Sequence, residues 1–205
     1  MKKERVLAQA HPWHGISAGK EAPEKVNVFI EIVPTDTVKF EVDKESGHLR
    51  IDRPQRFSSL CPSLYGFIPS SYCDALVAEY FSQQSGRQGL SGDGDPLDIC
   101  VLSERAISQG NLLVSAIPVG GLRIIDKNEV DDKIIAVLED DPVYGELRDI
   151  KDCPSALIER LKHYFLTYKQ YPAGVPVIEL ESVYGRKGAL EVISRSLADY
   201  ANAYV

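Results

Sequence analysis

The apolar residues of this chain change their period partway along it, and that change limits the folds open to it. From residue 26 to about 138 the apolar positions either alternate or fall in short runs, the patterns of strands. In VNVFIEIV, Val26, Val28, Ile30 and Ile32 share one face, and Asn27, Phe29 and Glu31 share the other. In TVKFEVD, Val38, Phe40 and Val42 oppose Lys39, Glu41 and Asp43. HLRIDR predicts a short strand ending at Arg53. ICVL (99–102), LLVSAIPV (112–119) and IIAVL (134–138) predict three more, punctuated by glycine, proline and acidic residues. From Pro154 the spacing becomes helical. Leu157, Ile158, Leu161, Tyr164, Phe165 and Tyr168 form one stripe of PSALIERLKHYFLTYKQY, with Pro154 in its first turn and Pro172 beyond its end. A second helix, from about Gly188 to Tyr204, aligns Leu190, Ile193, Leu197 and Tyr204. Residues 73–92 fit either a helical turn or a long excursion ending in a Gly/Ser/Gln loop. Strands first and helices afterwards predict an α+β fold, a mainly antiparallel sheet or small barrel with helices packed outside. The 205 residues fit a single domain, 1–205.

The formal net charge is −7 and no Lys/Arg-rich block stands out, so nucleic acid is not an expected partner. No run of about 18 apolar residues predicts a membrane span. The stretch MKKERVLAQAHPWHGISAG lacks the apolar core of a signal peptide, so the expected compartment is the cytoplasm, with reduced thiols. Cys61, Cys73, Cys100 and Cys153 form no C-x-x-C pair, which argues against a zinc ribbon or redox motif. Cys100, inside an apolar run, is expected to be a small buried hydrophobe.

The segment SGDGDPLDICV places Asp93, Asp95 and Asp98 within six positions at the mouth of a predicted strand. Asp, Gly and Pro are turn formers, and a strand entry accounts for any one of them. Three together repel, each raising the pKa of the others unless cations stand among them. All-oxygen ligands suit a hard cation such as Mg²⁺, Ca²⁺ or Mn²⁺. A calcium EF-hand starting at Asp93 would put Glu104 at position twelve, but its obligatory glycine at position six is Asp98. Further acids interleave with bases elsewhere. IIDKNEVDDKIIAV holds Asp126, Asp131, Asp132 and Lys133, and Glu31, Lys39 and Glu41 lie on polar strand faces. Each alone reads as a solvated face. Together they describe a site that binds a highly charged anion through divalent cations, with basic side chains on the free oxygens. His11 and His14 in HPWHG lack a third ligand nearby in sequence and read as packing or solvent residues, as does His163 on the first helix.

These motifs resemble the soluble family I inorganic pyrophosphatases. DGDPLD at Asp93–Asp98 satisfies every position of that family's aspartate signature. Matching segments fall in the family's order: FIEIV, VKFEVDKESG, IDR, LYGFIP, PVGGLRIID, DDK and HYFLTYK. The resemblance covers about Gly15 to Lys169. It implies an OB-like closed or partly closed antiparallel β-barrel flanked by C-terminal helices. It also implies hydrolysis of pyrophosphate to two phosphates with several Mg²⁺ ions per site, Mn²⁺ or Co²⁺ being possible substitutes. Carried over residue by residue, it makes Asp93, Asp98 and Asp131 ligands of a first metal, with Asp98 bridging to a second. Asp126 and Asp131 would hold a metal arriving with substrate, Glu41 would lie near a further one, and Glu31 would order waters. Asp95 would stand beside the attacking water. Lys39, Arg53, Tyr65, Lys133, Tyr168 and Lys169 would contact phosphate. A homo-oligomer is expected. Two departures from the family pattern stand out: Cys61 replaces a tyrosine, and residues 73–92 are longer than the short bacterial connection.

Overall fold

The computed structural model describes residues 9–169 and 178–205. Pro172, and residues 1–8 of the N-terminal stretch, lie outside them. The strands are β1 (Val26–Ile32), β2 (Val38–Val42), β3 (Leu49–Pro54) and β4 (Leu64–Phe67). Helix α1 (Ala75–Ser85) follows, then β5 (Ser91–Gly92), β6 (Asp98–Leu102), β7 (Leu112–Asp126), β8 (Glu129–Val130) and β9 (Lys133–Leu138). Helix α2 (Ser155–Thr167), strand β10 (Ile178–Gly185) and helix α3 (Arg186–Tyr204) complete the described elements, with one 3-10 turn at Ile150–Asp152.

Hydrogen bonding runs β1–β4–β6–β9–β7 and returns from β7 to β1, a ring of five strands in the partly closed OB-like manner. The closure depends on the length of β7. Its first half pairs with β1, Leu112 facing Ile30 and Ala116 facing Val26. Its second half pairs with β10, from Gly120 facing Gly185 to Asp126 facing Ile178. Between the halves the register against β9 shifts from Pro118 to Gly120. Proline has no amide to donate and glycine no side chain to pack, so the strand bends there rather than stopping. The sequence pattern ended this strand at residue 119, before Gly120 and Gly121; the backbone instead continues to Asp126.

Two pairings depart from the antiparallel expectation, the two-residue pair β5–β8 and the longer pair β6–β9. Strands β6 and β9 run parallel, with Asp98 opposite Lys133 and Ile99 opposite Ile134. Both are buried on two faces, which explains their unbroken apolar runs. Ile99, Val101, Ile134 and Ala136 face a core shared with α1 (Val77, Ala78, Phe81) and α3 (Ala189, Val192, Ile193). Cys100, Leu102, Ile135 and Val137 face a second core closed by Ile158, Leu161 and Phe165 of α2.

Helix α1 settles the reading left open for residues 73–92. Its N-terminal amides are capped from a distance: the Asp199 carboxylate on α3 accepts from the amides of Asp74 (3.1 Å), Leu76 (3.0 Å) and Val77 (3.1 Å). Gly86, at φ +74, ends the helix in a left-handed conformation that suits glycine.

A buried polar node braces the turn before β9. Asp132 is 3% exposed, and its Oδ1 accepts from the Tyr184 hydroxyl at 2.8 Å. Its Oδ2 has no hydrogen-bond partner among the described residues. Tyr184→Phe is expected to lower stability by about 1–3 kcal/mol, because a buried acceptor is left unpaired. The urea unfolding midpoint measures this, and an unchanged midpoint would mean that the hydroxyl contributes nothing.

Candidate active site

A cleft of about 540 Å³ opens at one end of the barrel. It is lined by Glu31, Lys39, Glu41, Tyr65, Asp93, Asp95, Asp98, Asp126, Asp131, Lys133, Tyr168 and Lys169, so twelve of the thirteen residues singled out in sequence meet at one place. The thirteenth, Arg53, does not line it. Arg53 sits on β3 with its guanidinium 5.9 Å from the Tyr168 ring centroid and ion-paired to Asp52.

The fold accounts for each placement. The parallel register sets Asp98 and Lys133 side by side at the start of their strands. Asp131 lies two residues before Lys133, on the same side by strand parity. Asp126 ends β7, and Tyr168 and Lys169 follow the last turn of α2. Lys39 and Glu41 share one face of the β2–β3 ribbon, which is tied to the barrel where the Val42 amide donates to Glu31 Oε1 at 2.7 Å. In DGDPLD the buried Leu97 anchors the loop, with 0% exposure, while its amide donates to Ser71 Oγ at 2.8 Å. Gly94 takes φ +71, and Asp93 Oδ1 accepts from the Asp95 amide at 3.0 Å. That turn directs the aspartates into the cleft.

Lysines stand against the acids. Lys133, 2% exposed, bridges Asp98 and Asp131. Lys169 pairs with Asp126, Lys39 with Glu41 and with Asp52 (3.1 Å), and Lys44 with Asp95. Tyr65 lines the same cleft beside Asp98, and its pairing partner on β6 is Cys100. The Lys133 ammonium also lies 5.7 Å from the Phe165 ring centroid and 6.0 Å from that of Tyr65.

The local electrostatics follow from burial. Burial pushes the Glu31 carboxyl up to about 8, against the Val42 amide that favours its charge. Burial, and then the charge of Asp131, push Asp93 up to about 8. Burial raises Asp98 as well, with Lys133 pulling the other way. For Lys133, burial alone would lower the pKa; Asp131 and Asp98 outweigh it and keep the side chain an ammonium. The site therefore holds more acid than its lysines neutralise comfortably.

This supplies the test of whether divalent cations fit. The donors are carboxylate oxygens, the chemistry of a hard cation. Asp126 Oδ1 is buried with no hydrogen-bond partner among the described residues, an acceptor left open beside the cleft. No group of three described His, Cys, Asp or Glu side chains lies already gathered as a cage. Lysine ammonium groups hold the positions of positive charge between the acids instead. The residues fit such cations.

Sequence reasoning did not single out Trp13, Lys44, Glu45, Arg50 or Glu129, which also line the cleft. Trp13 comes from the N-terminal loop, its indole N–H fixed to the Ser71 carbonyl at 2.8 Å. Lys44 and Glu45 lie in the β2–β3 turn, where no period marks a functional residue. His14 is a packing residue: its Nδ1 is 2.8 Å from the Tyr200 hydroxyl and its ring stacks on Trp13. His163 is exposed on α2, and Cys100 is buried in the core. Cys61, in place of the family tyrosine, is buried at 1% exposure in the core beneath α2, and burial pushes its thiol up to about 12.

Fold and cleft together define a class, a small barrel whose mouth interleaves carboxylates with lysines. The family model described as inorganic pyrophosphatase matches residues 28–201. An inorganic pyrophosphatase of Chlamydia trachomatis serovar L2 is 52% identical over 204 residues, covering 97% of this chain and 98% of that protein. A soluble inorganic pyrophosphatase of Oryza sativa is 37% identical, over 82% of this chain and 72% of that protein. Among solved structures, an inorganic pyrophosphatase from Thermus thermophilus superposes with a TM-score of 0.79 at 30% identity, over 94% of this chain and 99% of that one. One from Helicobacter pylori gives 0.75 at 29% identity, over 91% and 98%. The chain belongs to the inorganic pyrophosphatase family.

Proposed function

We propose that this protein hydrolyses inorganic pyrophosphate to two phosphates by in-line attack of water, dependent on Mg²⁺. The observation that carries the reading is the pairing of cleft acids with lysines: Asp98 and Asp131 with Lys133, Asp126 with Lys169, and Glu41 with Lys39. An acidic cleft repels pyrophosphate unless the acids are occupied. Divalent cations, when bound, supply that occupancy, polarise phosphoryl oxygens and provide a water of lowered pKa. Asp93, Asp98 and Asp131 would hold a first ion, with Asp98 shared with a second. Asp126, with its open Oδ1, would hold another with Asp131, and Glu41 a further one. Glu31 orders the water on that side.

The lysines then have a second use. An ammonium released from its carboxylate is free for a phosphoryl oxygen, so Lys39, Lys133 and Lys169 turn from acid partners into substrate contacts. Tyr65 and Tyr168 donate hydroxyl protons to the same oxygens, and Arg53 reaches them from behind Tyr168. Asp95 holds the attacking water in line and accepts its proton. The charge developing on the leaving phosphate is stabilised by donors already in place, which is where most of the rate enhancement resides.

The whole chain is read as one catalytic domain, acting as a homo-oligomer in the cytoplasm. No helix among the described residues is long and apolar enough to cross a membrane. The direct test is phosphate release from pyrophosphate by purified protein with excess Mg²⁺ and with chelator. Release that the chelator removes is expected. No release with Mg²⁺, Mn²⁺ or Co²⁺ would overturn the reading.

A further inference from the structure

Lys44 occupies a place that the roles above do not use. It lies in the turn between β2 and β3 with an exposed side chain, yet four contacts fix it. Its ammonium is ion-paired with Asp95 Oδ1, a charge contact only, since that buried oxygen has no hydrogen-bond partner among the described residues, and it donates to the Gly94 carbonyl at 3.4 Å. It also lies 5.8 Å from the centroid of the Trp13 ring, within range of a cation–π contact. Its backbone carbonyl accepts from the His11 ring Nε2 at 3.2 Å.

Both supports are themselves rigid. Trp13 is 4% exposed and anchored through its indole N–H. The turn can close on His11 because residue 47 is glycine: a Cβ there would lie 2.9 Å from the His11 ring and 2.9 Å from Pro12. Gly47 also takes φ +71, which suits glycine. Lys44 thereby joins the N-terminal HPWHG segment to the aspartate loop, beside the link that runs from Trp13 through Ser71 to Leu97.

Asp95 needs such a support. Its side chain is half-exposed, on a loop residue outside any strand. Asp93 and Asp98, by contrast, are held by the Asp95 amide and by Lys133 respectively. A carboxylate that must aim at one water cannot keep the rotational freedom of an exposed side chain.

We infer that Lys44, seated on Trp13, is a positioning residue that fixes the Asp95 carboxylate for attack and does not itself bind pyrophosphate. This rests on the reading of Asp95 as the group beside the attacking water. The role predicts a particular kinetic pattern. A residue acting only through Asp95 lowers kcat and leaves KM alone, whereas a phosphate contact raises KM.

The experiment compares Lys44→Met, Lys44→Arg, Asp95→Asn and the Lys44→Met/Asp95→Asn pair by steady-state phosphate release from pyrophosphate at saturating Mg²⁺. Urea midpoints check that each variant folds, and a solvent-exposed turn tolerates such changes. Lys44→Met is expected to lower kcat about tenfold with KM within about twofold of wild type, on the scale of a misaligned catalytic group. Lys44→Arg should restore most of the rate. In the Asp95→Asn background Lys44→Met should have no further effect, the signature of two residues acting as a unit. A raised KM with unchanged kcat in Lys44→Met would make Lys44 a substrate contact and overturn the inference. So would an undiminished further loss in the Asp95→Asn background. Wild-type kinetics in Lys44→Met beside an inactive Asp95→Asn would overturn the inference and leave the assignment of Asp95 standing. A fully active Asp95→Asn would overturn both.

Discussion

Asp98→Asn is expected to lower kcat for phosphate release by about a thousandfold or more, at saturating Mg²⁺, while the protein remains folded. Asparagine has nearly the volume and shape of aspartate, so β6 keeps its place in the ring. Lys133 keeps Asp131. What is lost is one negative charge at the point where two cations would share a ligand. Removing a single preorganised electrostatic group from an active site commonly lowers kcat by about 10²–10³. A shared carboxylate should lie at or beyond the upper end, since it positions the ions that activate the water as well as those that polarise phosphate. The measurement is steady-state turnover across a Mg²⁺ titration, with far-UV circular dichroism as the control for folding. Partial rescue at high Mg²⁺ would show weakened ion affinity. Turnover within tenfold of wild type at ordinary Mg²⁺ would remove Asp98 from the catalytic centre.

The particular elements show what a sequence can and cannot reveal. Strands β1, β2, β6 and β9 were legible because side-chain alternation, or a short apolar run, is a local property. Strand β4 was not: it has four residues, all buried, with Gly66 inside it. That glycine is required by a distant partner, since a Cβ there would stand 1.8 Å from the Phe29 carbonyl oxygen on β1. Helix α1 was ambiguous because its cap comes from Asp199, more than a hundred residues later. The parallel pairing of β6 with β9 is a topological fact that no residue pattern encodes, yet it decides that Asp98 meets Lys133.

The site divides in the same way. Its acids could be found because three aspartates in one loop are electrostatically costly and so call for an explanation. The motifs then ordered the rest. Lys44 escaped notice because a lysine in a polar turn is ordinary, and only the folded chain brings Asp95 and Trp13 to it. Arg53 shows a different limit: its motif assigns it to the substrate, and the folded ribbon sets it behind Tyr168, one residue back from the lining of the cleft.

Removing divalent cations is expected to make stability fall as pH rises from about 5 to 8. Glu31 and Asp93, buried in the barrel mouth, have their carboxyl groups pushed up to about 8. Ordinary carboxyl groups of an unfolded chain titrate near 4. Between those values the folded state binds more protons than the unfolded state, so stability must decrease with increasing pH. The favourable contribution is complete below the unfolded value and is lost as pH passes upward through the folded one. Asp132, pushed by burial up to about 7, adds a smaller effect of the same sign. A single pKa unit corresponds to about 1.4 kcal/mol, and the combined loss is expected to be a few kcal/mol. For a chain of this size that lowers Tm by roughly 10 °C. Saturating Mg²⁺ should remove most of the slope, because cations stabilise the ionised acids and bind the folded state alone. Differential scanning calorimetry across this pH range, with chelator and with Mg²⁺, measures both curves. A chelated protein whose Tm is flat or rises towards pH 8 would mean that the lysines already neutralise the cleft and that its acids are not held in wait for metal. A falling curve that Mg²⁺ flattens would show the same burial doing two things. It weakens the empty fold at neutral pH, and it stores the drive that draws cations into the site.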